Sequence, residues 1–215
     1  MADVQVPPEH YDFEKYDDLE RWISYWYQIR ATLAHRPRRV LEIGPGSGVF
    51  RSYLRNVGVH VDSLDIYETR QPEYVGDAAK LDELLPPGVT FDVICAFQIL
   101  EHLPFEHFEA CLDGISKRAA FANISLPYRG QRFRLAFWSG DFQLSLGHKF
   151  MLPWKLARCP EHHWELGYGF SARRITGIMS KYFEVLHRGF VKENPYHYMW
   201  SLRSRQFAGA RQLTA

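Results

Sequence analysis

The chain has 215 residues, 46% of them hydrophobic and 24% charged, which suits one domain of ordinary size with a substantial core. Its formal net charge of +1 gives no global pull toward DNA, RNA or an anionic membrane. Cys95, Cys111 and Cys159 form no C-x-x-C, no run is long enough to span a bilayer, and Met1-Ala2-Asp3-Val4 begins no secretory leader. The expectation is therefore a cytoplasmic protein without a disulfide framework or zinc site.

From Tyr11 to about His35, the residues Leu19, Trp22, Ile23, Trp26, Ile29 and Leu33 recur at helical spacing, and Pro37 closes the helix. Strand one is expected at Val40–Ile43 and a helix at Val49–Val57. Strand two follows over Val59–Ile66, a short strand three over Glu73–Val75, and a helix over Ala78–Leu85, stopped by Pro86-Pro87-Gly88. The near-continuous apolar run Phe91–Phe97 suits a parallel strand buried on both faces. A helix is expected over Phe105–Lys117 and strand five over Ala119–Leu126, ending at Pro127. After an irregular stretch, Ser171 caps a helix to Tyr182, and Phe183–Val191 and His197–Leu202 close the sheet. Such alternation implies an α/β fold, a doubly wound, Rossmann-like, seven-stranded sheet with an N-terminal helix and an insertion after strand five. One domain spans 1–215: an N-terminal helical lid (1–36), a core (37–126), a cap insertion (127–165), a C-terminal helix with closing strands (166–205) and a tail (206–215).

The most informative stretch is Arg39-Val40-Leu41-Glu42-Ile43-Gly44-Pro45-Gly46-Ser47-Gly48. A buried strand runs into a turn with glycine at every second position, so backbone can approach a bulky ligand where no Cβ would fit. A helix then begins, aiming its N-terminal amides at that ligand. The dinucleotide pattern G-x-G-x-x-G is not met, because Val49 stands at its sixth position. A phosphate-binding P-loop is not met either, since the turn has no lysine. Ligands in such sheets bind outside the carboxyl ends of the strands. Asp65, roughly 20 residues past the first glycine, is placed to accept hydrogen bonds from both ribose hydroxyls of a nucleoside. Asp62, its rival, lies mid-strand.

The glycine turn resembles E-x-G-x-G-x-G, the first motif of class I S-adenosylmethionine-dependent methyltransferases, carried here by Glu42, Gly44, Gly46 and Gly48. The resemblance covers about 37–126 and 161–190. It implies that S-adenosylmethionine is the cofactor and S-adenosylhomocysteine its product. It also implies that Asp77 of Gly76-Asp77-Ala78 holds the adenine amino group. Pro45, Ile66, Ala78, Phe97 and Gln98 join the expected cofactor contacts. Phe97-Gln98-Ile99-Leu100-Glu101-His102-Leu103 is similar to the Leu-Glu-His segment of the branch containing ubiquinone-biosynthesis O-methyltransferases.

Methyl transfer from a sulfonium is mainly a matter of positioning, but a hydroxyl or amine acceptor must also lose a proton. Histidine suits that task, and His162 and His102 are the candidate bases, His162 ahead. Of His162 and His163, one is expected to pack beside Trp164 and the other to face the cleft. Some relatives, including small-RNA ribose methyltransferases, bind a divalent metal through Glu-x-x-Glu-His and a later histidine. Here Glu101, His102 and His162 match three of those positions, but Gln98 replaces the first glutamate and argues against a divalent metal. Amino-methylation of bases goes with Asn/Asp-Pro-Pro-Tyr/Phe after strand four, which is absent there, and Asn194-Pro195-Tyr196 comes too late in the chain.

The Pro127–Trp164 insertion mixes Arg129, Arg132, Arg134, Lys149, Lys155 and Arg158 with Phe133, Phe137, Trp138, Phe142, Phe150 and Trp154. It reads as a cap for a flat or amphipathic acceptor bearing an anionic group, or else as a packed helical hairpin. A membrane-surface role would call for a longer amphipathic run. The reading is a methyltransferase acting on an oxygen, in second place a nitrogen, of a small or amphipathic metabolite. The alternatives are a non-catalytic cofactor-binding regulatory protein and a metal-assisted RNA ribose methyltransferase. Oligomeric state is not legible.

Overall fold

A computed structural model describes residues 13–140, 142–150, 159–167 and 169–207. A seven-stranded sheet carries the core, in the order β3-β2-β1-β4-β5-β9-β8. Its strands are β1 (Arg39–Ile43), β2 (His60–Asp65), β3 (Tyr74–Val75), β4 (Phe91–Phe97), β5 (Ala119–Pro127), β8 (Phe183–Phe190) and β9 (His197–Ser204). The first five run parallel, with Val40 beside Val61 and Val93, whereas β9 is antiparallel to both β5 and β8. Strand order reverses between β1 and β4, and this switch point fixes where a ligand can enter.

The pleat sends alternate strand residues to two cores. Val40, Val61, Val93 and Cys95 pack with Phe50 and Leu54 of α3 (Val49–Asn56) and with Ile29 and Leu33 of α2 (Leu19–Leu33). Leu41, Ile43, Ile94 and Ala96 pack on the opposite face with Phe108, Leu112 and Ile115 of α5 (Phe108–Arg118) and Ile175 of α6 (Ala172–Met179). Ser171 caps α6 as expected, its hydroxyl accepting from the Arg174 N–H at 3.1 Å. The helix expected over Ala78–Leu85 is a 3-10 turn, Ala78–Lys80, followed by the single turn α4 (Leu81–Leu84).

Two sequence expectations need correction. The N-terminal helix is two pieces, α1 (Phe13–Tyr16) and α2, because Asp18 caps the second by accepting from the Arg21 N–H at 2.7 Å. Residues 11 and 12 lie outside the described residues. The face of α2 that turns inward is largely polar: Ser24, Tyr25, Gln28 and Thr32 are buried, while Leu19, Trp22 and Trp26 are exposed. Hydrogen bonds make that burial tolerable. Asn123 Nδ2 donates to Thr32 Oγ1 at 3.2 Å, and Asn194 Nδ2 donates to Ser24 Oγ at 3.0 Å.

The first part of the insertion is strand where an irregular stretch or a helical hairpin was expected, and residues 159–165 are irregular. β6 (Gln131–Ser139) and β7 (Phe142–Phe150) form an antiparallel hairpin, a separate two-stranded sheet. Residues 151–158, which include Trp154, Lys155 and Arg158, lie outside the described residues.

Candidate active site

The cleft opens at the carboxyl ends of β1, β2 and β4 and holds about 820 Å³ of space, part of it open to solvent. Its first wall is the glycine turn after β1. Gly44, Gly46 and Gly48 have φ of +69°, +53° and +79°, a region where side-chain-bearing residues are strained. A Cβ on Gly44 would also sit 2.7 Å from the Ile99 side chain. Gly44 and Gly46 line the cleft, whereas Glu42, Pro45 and Gly48 stand behind them. The Pro45 carbonyl accepts from the Gly48 N–H at 2.8 Å, shaping the turn. Glu42 is buried with Oε2 unpartnered, and burial lifts its carboxyl to about 8 against the pull of Arg51 and Arg55.

The second wall is the end of β2. Asp65 and Ile66 line the cleft with Tyr67 and Arg70. Burial raises the Asp65 carboxyl above its ordinary range, opposed by the Tyr67 N–H, which it accepts at 2.9 Å, and by Arg70 at 3.6 Å. Arg70 also donates to the Gly46 carbonyl at 2.8 Å, linking this wall to the glycine turn. Asp62 lies elsewhere, paired with Arg39 at 2.6 Å and His60 at 2.9 Å. Asp77 accepts from the Ala79 N–H at 2.8 Å as the cap of the 3-10 turn, and neither Asp77 nor the buried Ala78 lines the cleft.

The third wall is Phe97, Gln98 and Ile99 after β4. Gln98 has φ of +56°, and its backbone N–H donates to the Ser125 carbonyl at 3.0 Å while Nε2 donates to Ser125 Oγ at 3.2 Å. Such a conformation persists only where neighbours over-determine it.

At the far end, Glu101, His102, Cys159, Glu161, His162 and Tyr196 meet Tyr16 and Arg21 from the N-terminal helices. His162 Nδ1 lies 2.7 Å from Glu165 Oε1. Glu165 also accepts from the Cys159 N–H at 3.2 Å and forms an ion pair with Arg129 at 2.5 Å. Burial pushes its carboxyl up, but the His162 and Cys159 hydrogen bonds and the Arg129 charge hold it below the ordinary range. An ionised carboxylate can only accept, so Nδ1 of His162 carries the proton and Nε2 keeps the lone pair. His102 Nδ1 faces the Glu161 carbonyl at 3.1 Å, which selects the same tautomer, and the two rings meet edge to face at 4.7 Å. His163 is exposed and contributes its backbone N–H to the Glu101 carbonyl at 2.8 Å.

Glu101 is fully buried, neither carboxylate oxygen has a hydrogen-bond partner among the described residues, and burial lifts it to about 8. One donor atom from each of Glu101, His102 and His162 falls within 4.8 Å of the others. Arg70 lines the cleft and Glu165 stands behind His162, neither marked by a sequence motif, while Arg129, a basic residue of the insertion, is paired to Glu165; tertiary contact places all three. Tyr196, set aside as too late in the chain, lines the cleft because β9 returns beside β5.

A parallel sheet in this order, closed by one antiparallel strand and carrying a glycine-turn cleft after β1, defines the class I S-adenosylmethionine-dependent methyltransferases. The chain belongs to the methyltransferase domain family, whose model matches residues 10–181. Among solved structures it is similar to the N-methyltransferase NodS from Bradyrhizobium japonicum in complex with S-adenosylhomocysteine, at 12% identity and TM-score 0.57, covering 94% of both chains. It is similar to a Burkholderia thailandensis 1,6-didemethyltoxoflavin N1-methyltransferase at 15% identity and TM-score 0.57, covering 84% of this chain and 78% of that one. A Clostridium acetobutylicum S-adenosylmethionine-dependent methyltransferase matches at 9% identity and TM-score 0.55, covering 91% and 96%. No curated protein sequence matches significantly. These likenesses establish the fold and leave the acceptor open.

The cleft fits the cofactor on its own terms. Gly46 leaves backbone bare at the cleft surface, and Asp65 presents a carboxylate beside it. Among the described residues, no helix is long and apolar enough to cross a membrane.

Proposed function

We propose that this methyltransferase acts on a hydroxyl oxygen of a small or amphipathic metabolite, with His162 as the base. The observation that carries the reading is the 2.7 Å contact of His162 with Glu165, itself paired to Arg129, at the end of the cofactor cleft. Bound S-adenosylmethionine supplies a methyl group already activated by positive sulfur. Gly44, Gly46 and Asp65 hold its adenosine and amino-acid parts, and Gln98 borders the reacting centre. The acceptor hydroxyl lies against Nε2 of His162, which takes its proton. Glu165 stabilises the imidazolium that forms, and Arg129 keeps Glu165 ionised. Positioning is worth about 7–11 kcal/mol of barrier in such systems, and the base about 10²–10⁴ in rate. An amine needs less help in losing its proton, so this relay favours oxygen. That NodS and the toxoflavin enzyme are N-methyltransferases supports nitrogen as the second acceptor type.

A second reading has its own observation, the convergence of Glu101, His102 and His162 within 4.8 Å. One carboxylate and two imidazoles suit Mn²⁺ or Zn²⁺ better than Mg²⁺. In that case these residues would hold the ion, which would supply Lewis-acid activation of the acceptor oxygen.

Titration calorimetry with S-adenosylmethionine, S-adenosylhomocysteine and NAD tests the cofactor assignment, with heat expected for the first two alone. Transfer of labelled methyl into a metabolite extract then tests turnover. No transfer to any acceptor, despite cofactor binding, would favour a regulatory binding protein. Activity indifferent to a chelator removes the metal; activity lost to it and restored by Mn²⁺ establishes one.

A further inference from the structure

Among the described residues the β6–β7 hairpin pairs with itself alone, and isolated two-stranded hairpins are marginal in water. Its register sets Phe133 opposite His148, Leu135 opposite Leu146, Phe137 opposite Leu144, and Ser139 opposite Phe142. Because alternate positions share a face, Leu135, Phe137, Phe142 and Leu144 occupy one side, with positions 133 and 146 in register beside them. Leu135 and Phe137 are each 56% exposed, Phe142 60% and Leu144 44%. Four neighbouring exposed apolar side chains on one face of a hairpin mark an interaction surface.

Charge selects the partner. Within β6 and β7, Arg132, Arg134 and Lys149 stand with no acidic residue, a net of +3 in a chain that sums to +1. Arg132, Arg134 and Lys149 fall at register positions of the face opposite the apolar strip. A second copy of the hairpin would bring the same positive charge against it. An anionic bilayer satisfies both sides of the pattern, taking the apolar strip at the acyl boundary and the cations at the headgroups.

We infer that the β6–β7 hairpin is a membrane-surface docking element that seats the protein on an anionic lipid bilayer. The hairpin is rooted at the cleft: Arg129 precedes β6, and Cys159, Glu161 and His162, at the C-terminal end of the insertion, line the cleft. Docking therefore sets the acceptor end of the cleft near the lipid surface. The inference stands apart from the choice of acceptor and from turnover.

The test is co-sedimentation of the full chain with vesicles of equal parts phosphatidylcholine and phosphatidylglycerol, against vesicles of phosphatidylcholine alone. Binding to the mixed vesicles is expected, weaker by about tenfold or more on phosphatidylcholine and at high salt. A Phe137→Ser/Leu144→Ser variant, altered at exposed positions, should lose vesicle binding while keeping its melting temperature and its affinity for S-adenosylhomocysteine. Arg132→Glu/Arg134→Glu should lose the anionic preference. Failure to sediment with the mixed vesicles, equal binding to both compositions, or binding unchanged in both variants overturns the inference. So does a concentration-dependent dimer abolished by Phe137→Ser/Leu144→Ser, which would assign the strip to a second copy.

Discussion

At the scale of residues, two buried carboxylates have opposite consequences. Glu165 is held ionised by partners, and in the proposed mechanism it acts through His162. Replacing His162 by alanine should lower kcat by about 10²-fold or more, with the dissociation constant for S-adenosylhomocysteine nearly unchanged. Glu165→Gln should lower kcat by about tenfold at similar cofactor affinity, and Glu165→Asp should restore part of it. Equal losses in kcat and cofactor affinity would instead mark Glu165 as structural. Glu42 is the reverse case, raised by burial from 4.5 to about 8. The folded chain keeps a proton there that the unfolded chain releases, so this group's contribution to stability falls as pH rises between those values. Thermal melts across that window should show a midpoint that declines with pH, and a shallower decline in Glu42→Gln. Neither behaviour was legible in the sequence. Glu42 was visible as part of a motif, but its lack of a partner depends on what surrounds it, and the Glu165–Arg129 pair joins positions 36 residues apart.

At the scale of elements, the glycine turn is the best-determined piece of the site, because positive φ and close approach both demand glycine there. Gly46→Val should abolish S-adenosylmethionine binding by calorimetry while leaving a cooperative melt, since its Cβ would project into ligand space. Tyr25 ties the N-terminal helices to this turn: its hydroxyl donates to Asp17 Oδ1 at 2.8 Å and lies 3.0 Å from Ser47 Oγ. Tyr25→Phe should cost about 1 kcal/mol of stability and speed proteolysis near α1. The strands of the sheet were readable as buried apolar runs, and β4 matches its expected bounds, Phe91–Phe97. The hairpin was not, although Phe133, Leu135 and Phe137 alternate with Arg132, Arg134 and Ala136 at the period of a strand. Aromatic density there drew attention to packing in place of periodicity. The reading of α2 failed differently: its helical spacing was right, but beside Ile29 and Leu33 it buries Ser24, Tyr25, Gln28 and Thr32, and hydrogen bonds such as those to Asn123 and Asn194 make that burial tolerable.

At the scale of the whole molecule, the sheet order follows from alternating strands and helices with a cofactor turn after the first strand, so the architecture was legible before any coordinates. What the sequence could not give was the return of β9 beside β5, which carries Tyr196 to the cleft. The far end of the cleft is thus assembled from α1, α2, the C-terminal end of the insertion, and the β8–β9 connection. Hydrogen exchange should therefore slow on addition of S-adenosylhomocysteine over residues 13–25 and 159–166, with α5 and α6 unchanged. Equal protection in both states would mean that the cleft is already closed. The insertion has a further consequence through its roots. Arg129 on one side and Glu165 on the other are clasped to each other across its base, with the backbone of Cys159 on the same carboxylate. A hairpin lengthened, shortened or exchanged is therefore expected to leave His162 in place. On the proposed roles, the proton-accepting end and the docking element are separable parts, and selection can rewrite one while the other stands still.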